Sequence, residues 1–437
     1  MNLNLNLPKS KIVVAMSGGI DSSTVAGLLH EQGHEVIGIT LQLYDYGEIS
    51  TKGTCCAGQD IYDAKTASEH IGIPHYVFNY ESKFKQKVID NFIDGYLHGE
   101  TPIPCVQCNM SVKFTDLIKA AKELNADFLA TGHYVQKILN TVQNKNEMHR
   151  AFDLTKDQSY FLFQTTQSQL DYLLFPLGGV TKDRTRLEAK RLGLDIHNKP
   201  DSQDICFVPG GDYAKVIEKY KPEALKKGLV MHVDGFKLGE HDGIHKFTVG
   251  QRKGLGISYK YPLYVIRIDS KMNLVYIGPE SELQRTSFYI KDVNLLDQID
   301  HNKEYFVKIR SLHQGCYAKI KLVINSNEVM LDSSSKIDFN ITSDTIASED
   351  TNITNTNTNI ASDTRSDTDN VALTNIKTNI AQVNSANRQV NNEGLIKDNK
   401  AIYEVILLES QKAISPGQAC VIYDESRLIG GGWIMRY

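Results

Sequence analysis

The sequence predicts an α/β protein: a doubly wound parallel-sheet domain, then a small mixed central domain, then a C-terminal β-barrel carrying a disordered insertion. Three observations predict this. From residue 11 to about 135, apolar strand-like runs alternate with helical patterns, as parallel βαβ units require. From about 245 onward the pattern changes to short strands separated by turn signals, which suits a small barrel. Residues of about 333–398 are dominated by Asn, Thr, Ser and Asp, with no aromatic residue between Phe339 and Tyr403, and bury too little apolar surface to offset ordering entropy.

In order along the chain, strands are expected at 11–16, 35–40, 75–78 and 127–131, and helices at 21–31, 59–71, 82–96 and 113–124. Ligands of such sheets sit at the carboxyl ends of the strands. Ser17–Ser22, the stretch after Thr40, and Thr131-Gly132-His133 all fall there. Residues near 156–230 read as helical and irregular. Between 181 and 230 there are 11 Lys/Arg against 8 Asp/Glu, with Lys182, Arg184, Arg186, Lys190 and Arg191 close together. A solvated helix face explains that cluster as well as a nucleic-acid contact does. Later strands are expected at 263–267, 274–277, 305–309 and 401–406, with a terminal hairpin over 420–432. The expected domains are 1–155, 156–244 and 245–437, the insertion falling in a hairpin of the barrel, where loop length costs little.

A length of 437 residues fits two or three domains. The formal net charge of −4 excludes a global nucleic-acid signature, so any such partner must meet a local patch. No run of about 18 apolar residues exists, so no membrane helix and no membrane partner is expected. Met1–Leu7 lacks the features of a secretion signal, and the expected location is cytoplasmic. The seven cysteines, Cys55, Cys56, Cys105, Cys108, Cys206, Cys316 and Cys420, are odd in number and argue against a structural disulfide framework.

The chemistry begins at Ser17-Gly18-Gly19-Ile20-Asp21-Ser22, between the apolar run Ile12–Met16 and a helical stretch. A strand running through a Gly-Ser loop into a helix N-terminus presents backbone N–H groups and a favourable dipole to phosphate. No Gly-Lys-Ser/Thr closes the loop, so it is not a Walker loop. A Gly-Gly tight turn is the plainer alternative; two serines and an acid directly after a strand favour the nucleotide. The loop resembles that of the PP-loop ATPases, which split ATP into AMP and pyrophosphate.

Cys105 and Cys108 lie in a stiff, proline-containing loop, Thr101–Asn109, with a helix beginning beyond it. Thiols near a helix N-terminus hold more thiolate. A lone C-x-x-C suits a redox pair, half a zinc site or iron–sulfur ligands; the lack of a second C-x-x-C weakens the zinc reading. Cys206, in Asp201–Phe207, is 98 residues beyond Cys108, so any cooperation is tertiary. Locally it reads equally as a buried apolar thiol. Cys316 and Cys420 lie in strand-like segments and read as core.

Taken in order, Ser17–Ser22, Cys55-Cys56, Thr101–Asn109, Thr131–Tyr134, Lys156–Tyr160, Asp201–Cys206 and Phe247–Gly256 resemble the tRNA-specific 2-thiouridylases, a family of PP-loop ATP pyrophosphatases. The resemblance spans nearly the whole chain apart from the insertion. It implies ATP-dependent 2-thiolation of the wobble uridine of tRNA, with adenylation of the C2 oxygen and sulfur from a cysteine persulfide. It assigns ATP to Ala15, Met16, Ser17, Gly18, Gly19, Ile20, Asp21, Ser22, Leu41 and Gly132. Cys108 becomes the nucleophile, Cys206 the persulfide carrier, and a disulfide between them part of the cycle. Ile103, Pro104 and Cys105 would face the target base, and Lys156, Asp157, Gln158, Arg310 and Ser311 would touch tRNA. It further implies Mg²⁺ with the ATP, and a sulfur-donor protein such as a cysteine desulfurase or relay protein; no metal ligand is assigned. The family often carries Asp where Cys105 stands, and its compact pattern has no counterpart of the insertion. Three other readings remain at this stage. They are thiolation through an iron–sulfur cluster on Cys105, Cys108 and Cys206, an ATP-dependent amidoligase acting on a small metabolite, and a non-catalytic RNA-binding module.

Overall fold

The structure, a computed structural model, describes residues 7–44, 57–195, 205–324 and 401–436. Cys55-Cys56, Asp201–Asp204 and the Asn/Thr-rich segment lie outside the described residues. Residues 1–323 and 401–436 form one compact unit.

The chain opens with β1 (Lys11–Ala15), α1 (Ile20–Glu31), β2 (Glu35–Gln42), α2 (Ala57–Ile71) and β3 (His75–Asn79). α3 (Glu81–Phe84) runs through a wide π turn, Lys85–Ile89, into α4 (Asp90–Leu97). α5 (Pro104–Cys108) continues through a second π turn, Asn109–Lys113, into α6 (Phe114–Glu123), which leads to β4 (Phe128–Ala130). A hairpin follows, β5 (Val135–Asn140) and β6 (Lys145–Arg150), then α7 (Gln167–Tyr172), β7 (Leu173–Leu174) and α8 (Lys182–Arg191). The first sheet is all parallel, in the order β3-β2-β1-β4-β7. Side chains alternate across it. Val13 packs with Leu117, Ile118 and Ala121 on one face, whereas Ile12 and Val14 pack with Val25, Leu28 and Leu29 on the other. Burial on both faces is why the strands read as unbroken apolar runs. The order reverses between β1 and β4, and that switch point opens a crevice at their carboxyl ends.

β7 is two residues long and gives no strand signal, yet it joins β4 through Leu129↔Leu173 and Ala130↔Leu174. The sheet therefore draws a strand from beyond residue 155. The helix expected at 82–96 divides at the π turn, and the one expected at 113–124 has its first turn at Pro104.

α9 (Tyr213–Tyr220), β8 (Gly228–His232), β9 (Lys237–His241), β10 (Tyr264–Asp269) and β11 (Leu274–Gly278) come next. The strands form a separate sheet ordered β10-β11-β8-β9, with β11 parallel to β8. The strand patterns at 263–267 and 274–277, grouped with the barrel on sequence, thus belong to this central sheet. A short-strand pattern is local and does not name its partner.

The third layer holds β12 (Gln284–Leu295), β13 (Glu304–Lys308), β14 (Cys316–Ile324), β15 (Ile402–Lys412), β16 (Ala419–Asp424) and β17 (Arg427–Ile434). They run β12-β15-β14-β13-β16-β17, and β12 pairs with β17 to close the ring into a six-stranded barrel. One β12 half pairs with β15 and the other with β17. Phe288, Ile290, Val307, Val405, Ile422 and Cys420 fill the interior, which bears out the core reading of Cys420. Cys316 is half-buried on β14. β14 and β15 are neighbours, so the segment outside the described residues connects adjacent barrel strands. Among the described residues no helix is long and apolar enough to cross a membrane.

Candidate active site

The loop after β1 turns sharply at Gly18, whose φ is +70°. A Cβ there would stand 2.1 Å from the backbone oxygen of Asp60, so the loop lies directly on the first turn of α2. Ser22 ties the turn together: its Oγ accepts from the Ser17 amide at 3.1 Å and donates to the Gly19 carbonyl at 3.3 Å. Gly19 caps α1 with no side-chain bond. Gly132, just past β4, closes the other side of the crevice, where a Cβ would meet the Ser22 nitrogen at 2.8 Å. Leu41, near the end of β2, is half-buried. The expected nucleotide residues thus come together at the switch point between β1 and β4.

Asp21 is the charged centre of the loop. Lys182 Nζ donates to both its carboxylate oxygens, at 2.7 and 2.8 Å. Tyr134 OH stands 2.9 Å from Asp21 Oδ1 and 2.9 Å from Thr185 Oγ1. Lys182, Tyr134 and Thr185 are functional candidates that sequence reasoning missed. The only available signal was the loop's missing lysine.

Cys105 and Cys108 stand on α5, the first exposed and the second buried. Cys108 belongs to an apolar cluster with Phe84, Phe92, Phe207 and Val208. Phe207 meets Phe92 edge-on at 5.2 Å and Phe84 at 5.8 Å, and Tyr44 OH donates to the Cys206 carbonyl at 2.8 Å. These contacts anchor the Cys206 segment beside the Cys108 helix. Cys206 itself is exposed by area, yet its setting is crowded. Loss of solvent, then the nearby Cys108 and Cys105, push its thiol up to about 12, while Lys113 draws it down. Burial also raises the thiols of Cys105 and Cys108, again with Lys113 opposing. Lys113 ends the π turn, five residues after Cys108. A turn with i→i+5 bonding carries residues five apart round to one face. Lys113 is thus placed under the thiols, and no sequence pattern announced it. Asn109 is buried and donates from Nδ2 to the Phe161 carbonyl at 3.3 Å, while its Oδ1 has no partner.

His133, half-buried after β4, is pushed down to about 3 by burial and by Lys113. It carries no charge at neutral pH. Ile103 and Pro104 are buried and Cys105 is exposed at the head of α5.

The expected tRNA residues divide. Asp157 is buried in bonds, with its side chain 2% exposed. It accepts from Arg150 Nε at 3.2 Å, Ala151 N at 3.1 Å and Ser159 Oγ at 3.0 Å. Gln158 Oε1 accepts from the Tyr134 amide at 2.9 Å. Both side chains therefore brace the fold. Arg310 is exposed and Ser311 half-buried in the loop after β13.

Three family profiles match the chain in succession. They are described as the tRNA methyl transferase HUP domain over residues 10–210, the tRNA methyl transferase PRC-barrel domain over 214–279, and the aminomethyltransferase beta-barrel domain over 363–434. The chain is 51% identical over 427 residues to the tRNA-specific 2-thiouridylase MnmA of Rickettsia prowazekii, covering 97% of this chain and 98% of the relative. The chain belongs to the tRNA-specific 2-thiouridylase family.

A second thiouridylase, from Rickettsia africae, is 50% identical over 438 residues, covering 99% of both chains. The aligned span takes in the Asn/Thr-rich segment, so that segment has a counterpart in these thiouridylases, contrary to the sequence expectation. ATP use follows from family membership. The iron–sulfur reading finds no ligand set. Among the described residues no three His, Cys, Asp or Glu side chains are grouped to hold a metal, Cys105, Cys108 and Cys206 included.

Proposed function

We propose that this chain replaces the C2 oxygen of the wobble uridine of tRNA with sulfur, activating that oxygen with ATP. The observation that carries the reading is the docking of the Cys206 segment against the Cys108 helix in one apolar cluster.

Uridine C2 is a poor electrophile and its oxygen a poor leaving group. Attack of that oxygen on the α-phosphorus of ATP corrects both, breaking the bond to the bridging oxygen and releasing pyrophosphate. Ala15–Ser22 would hold the phosphates, with Leu41 and Gly132 lining the nucleotide. Backbone N–H groups at the start of α1 would stabilise charge developing on the leaving group. The donor set near the loop suits a divalent ion that enters with the triphosphate, since Asp21 is the one carboxylate in the loop; when bound, Mg²⁺ would screen phosphate charge.

Cys206 would accept a persulfide sulfur from a donor protein. By one route its terminal sulfur attacks C2 and AMP departs with the C–O electron pair. Cys108 then attacks the Cys206 sulfur and releases 2-thiouridine. By the other, Cys108 attacks first and frees hydrosulfide, which attacks C2. Both routes end in a Cys108–Cys206 disulfide, and two electrons from an external thiol reopen it. Ile103, Pro104 and Cys105 would lie against the extruded base. Lys156 and Arg310 are the tRNA contacts this geometry favours; Asp157 and Gln158 would act by holding their segment in place. ATP–pyrophosphate exchange tests the acceptor: exchange that requires tRNA supports thiolation, and exchange at full rate without tRNA favours the amidoligase reading.

A further inference from the structure

We infer that Lys182 is the side chain that receives the pyrophosphate end of ATP, and that Asp21 holds it ready at the Ser17–Ser22 loop. The inference rests on reading that loop as the nucleotide site. ATP cleaved between its α- and β-phosphates sheds a highly charged group, and backbone dipoles provide only partial charges against it. The loop contains no lysine or arginine. Lys182 arrives from 161 residues away and places Nζ 2.7 and 2.8 Å from the two oxygens of Asp21.

The placement is unfavourable without a ligand to justify it. The Lys182 side chain is only 8% exposed, and burying an ammonium is costly even when it is paired. It is also the first residue of α8, the helix end whose dipole disfavours a cation. The α8 amides already have acceptors: Thr181 Oγ1 takes the Arg184 amide at 3.3 Å and Asp153 Oδ2 takes the Lys182 amide at 3.2 Å. Nζ therefore has Asp21, with the Tyr134 ring 5.7 Å away. Asp21 in turn is shared with Tyr134 OH. One shared carboxylate faces a buried ammonium and the uncapped start of α1. That balance is positive, as a site for a polyanion requires. A phosphate oxygen competes with Asp21 for Nζ, and Tyr134 OH continues to hold the carboxylate.

Titration calorimetry with pyrophosphate, ATP and AMP tests this on the wild-type chain, Lys182→Met and Lys182→Arg. A charge-assisted bond is worth about 1.5–3 kcal/mol, or roughly 10–150-fold in affinity. Lys182→Met is expected to lose roughly that factor for pyrophosphate and ATP while keeping its affinity for AMP; Lys182→Arg is expected to retain most of it. An unchanged pyrophosphate-to-AMP ratio in Lys182→Met overturns the inference, as does an equal loss for all three ligands, the mark of a structural role. A wild-type chain that binds none of them overturns the nucleotide reading itself. Should Lys182→Met not fold, lysine methylation of the wild-type chain gives the same answer. Protection of Lys182 by pyrophosphate but not by AMP is expected, and equal labelling with both contradicts it.

Discussion

Tyr134 and Gln158 are bonded in both directions: the Tyr134 amide donates to Gln158 Oε1 at 2.9 Å, and the Gln158 amide donates to the Tyr134 carbonyl at 3.0 Å. Because Tyr134 OH also reaches Asp21, this pair links the Lys156–Gln158 segment to the nucleotide loop. Gln158→Ala leaves the buried Tyr134 amide unpaired, at a cost of about 1–3 kcal/mol. Thermal unfolding is expected to show a lower midpoint, with tRNA affinity falling alongside. A weaker tRNA affinity at an unchanged midpoint would instead make Gln158 a direct RNA contact.

Gly18→Ala should abolish nucleotide binding. The left-handed backbone costs an L-residue roughly 1–2 kcal/mol, and the new Cβ would collide with the Asp60 backbone. Calorimetry with ATP checks it, and near-normal affinity would mean that the loop adapts more than its packing allows.

The thiols should respond to Lys113. Cys206 is neutral at pH 7, since its thiol is pushed up to about 12, and its alkylation by iodoacetamide should rise as pH approaches that value. Lys113 is the cation that draws Cys206, Cys105 and Cys108 down, and the two neighbouring cysteines act against it on Cys206. Lys113→Met is expected to shift the alkylation profile to higher pH, and Lys113→Arg to restore it. Coincident profiles would show that Lys113 does not act on the thiols.

His133 should contribute an acid-labile share of stability. Its pKa is lowered to about 3, so the folded state stays neutral while the unfolded state takes a proton below the ordinary value of 6.5. The contribution is present above 6.5 and is lost as pH falls toward 3. In His133→Asn, the difference in urea stability between pH 7 and pH 5 should narrow by roughly 1 kcal/mol. An unchanged difference would place the charge of His133 outside this balance.

The parts of the site that were legible in the sequence are those set by local order. Ser17–Ser22 could be placed because a strand, a Gly-Gly turn and a helix follow one another within one short stretch. Four parallel strands could be placed because burial on both faces leaves unbroken apolar runs. Lys182 was not legible as a partner of Asp21, because only the crossing of α8 over the loop brings them together. Lys113 depends on a π turn, which has no compositional mark. β7 was too short to show, and β10 and β11 were grouped with the barrel because a short strand does not name its neighbour. Asp157 and Gln158 read as surface contacts, but the backbone amides around them consume their side chains.

The most direct test is mass spectrometry of tRNA nucleosides after incubation with the chain, ATP, Mg²⁺, a persulfide donor and a thiol reductant. The wild-type chain should convert uridine to 2-thiouridine. Cys108→Ser and Cys206→Ser should each abolish the product while keeping ATP affinity. Cys316→Ser, altered on a barrel strand, should retain it. Normal thiolation by either Cys108→Ser or Cys206→Ser would contradict the two-cysteine account.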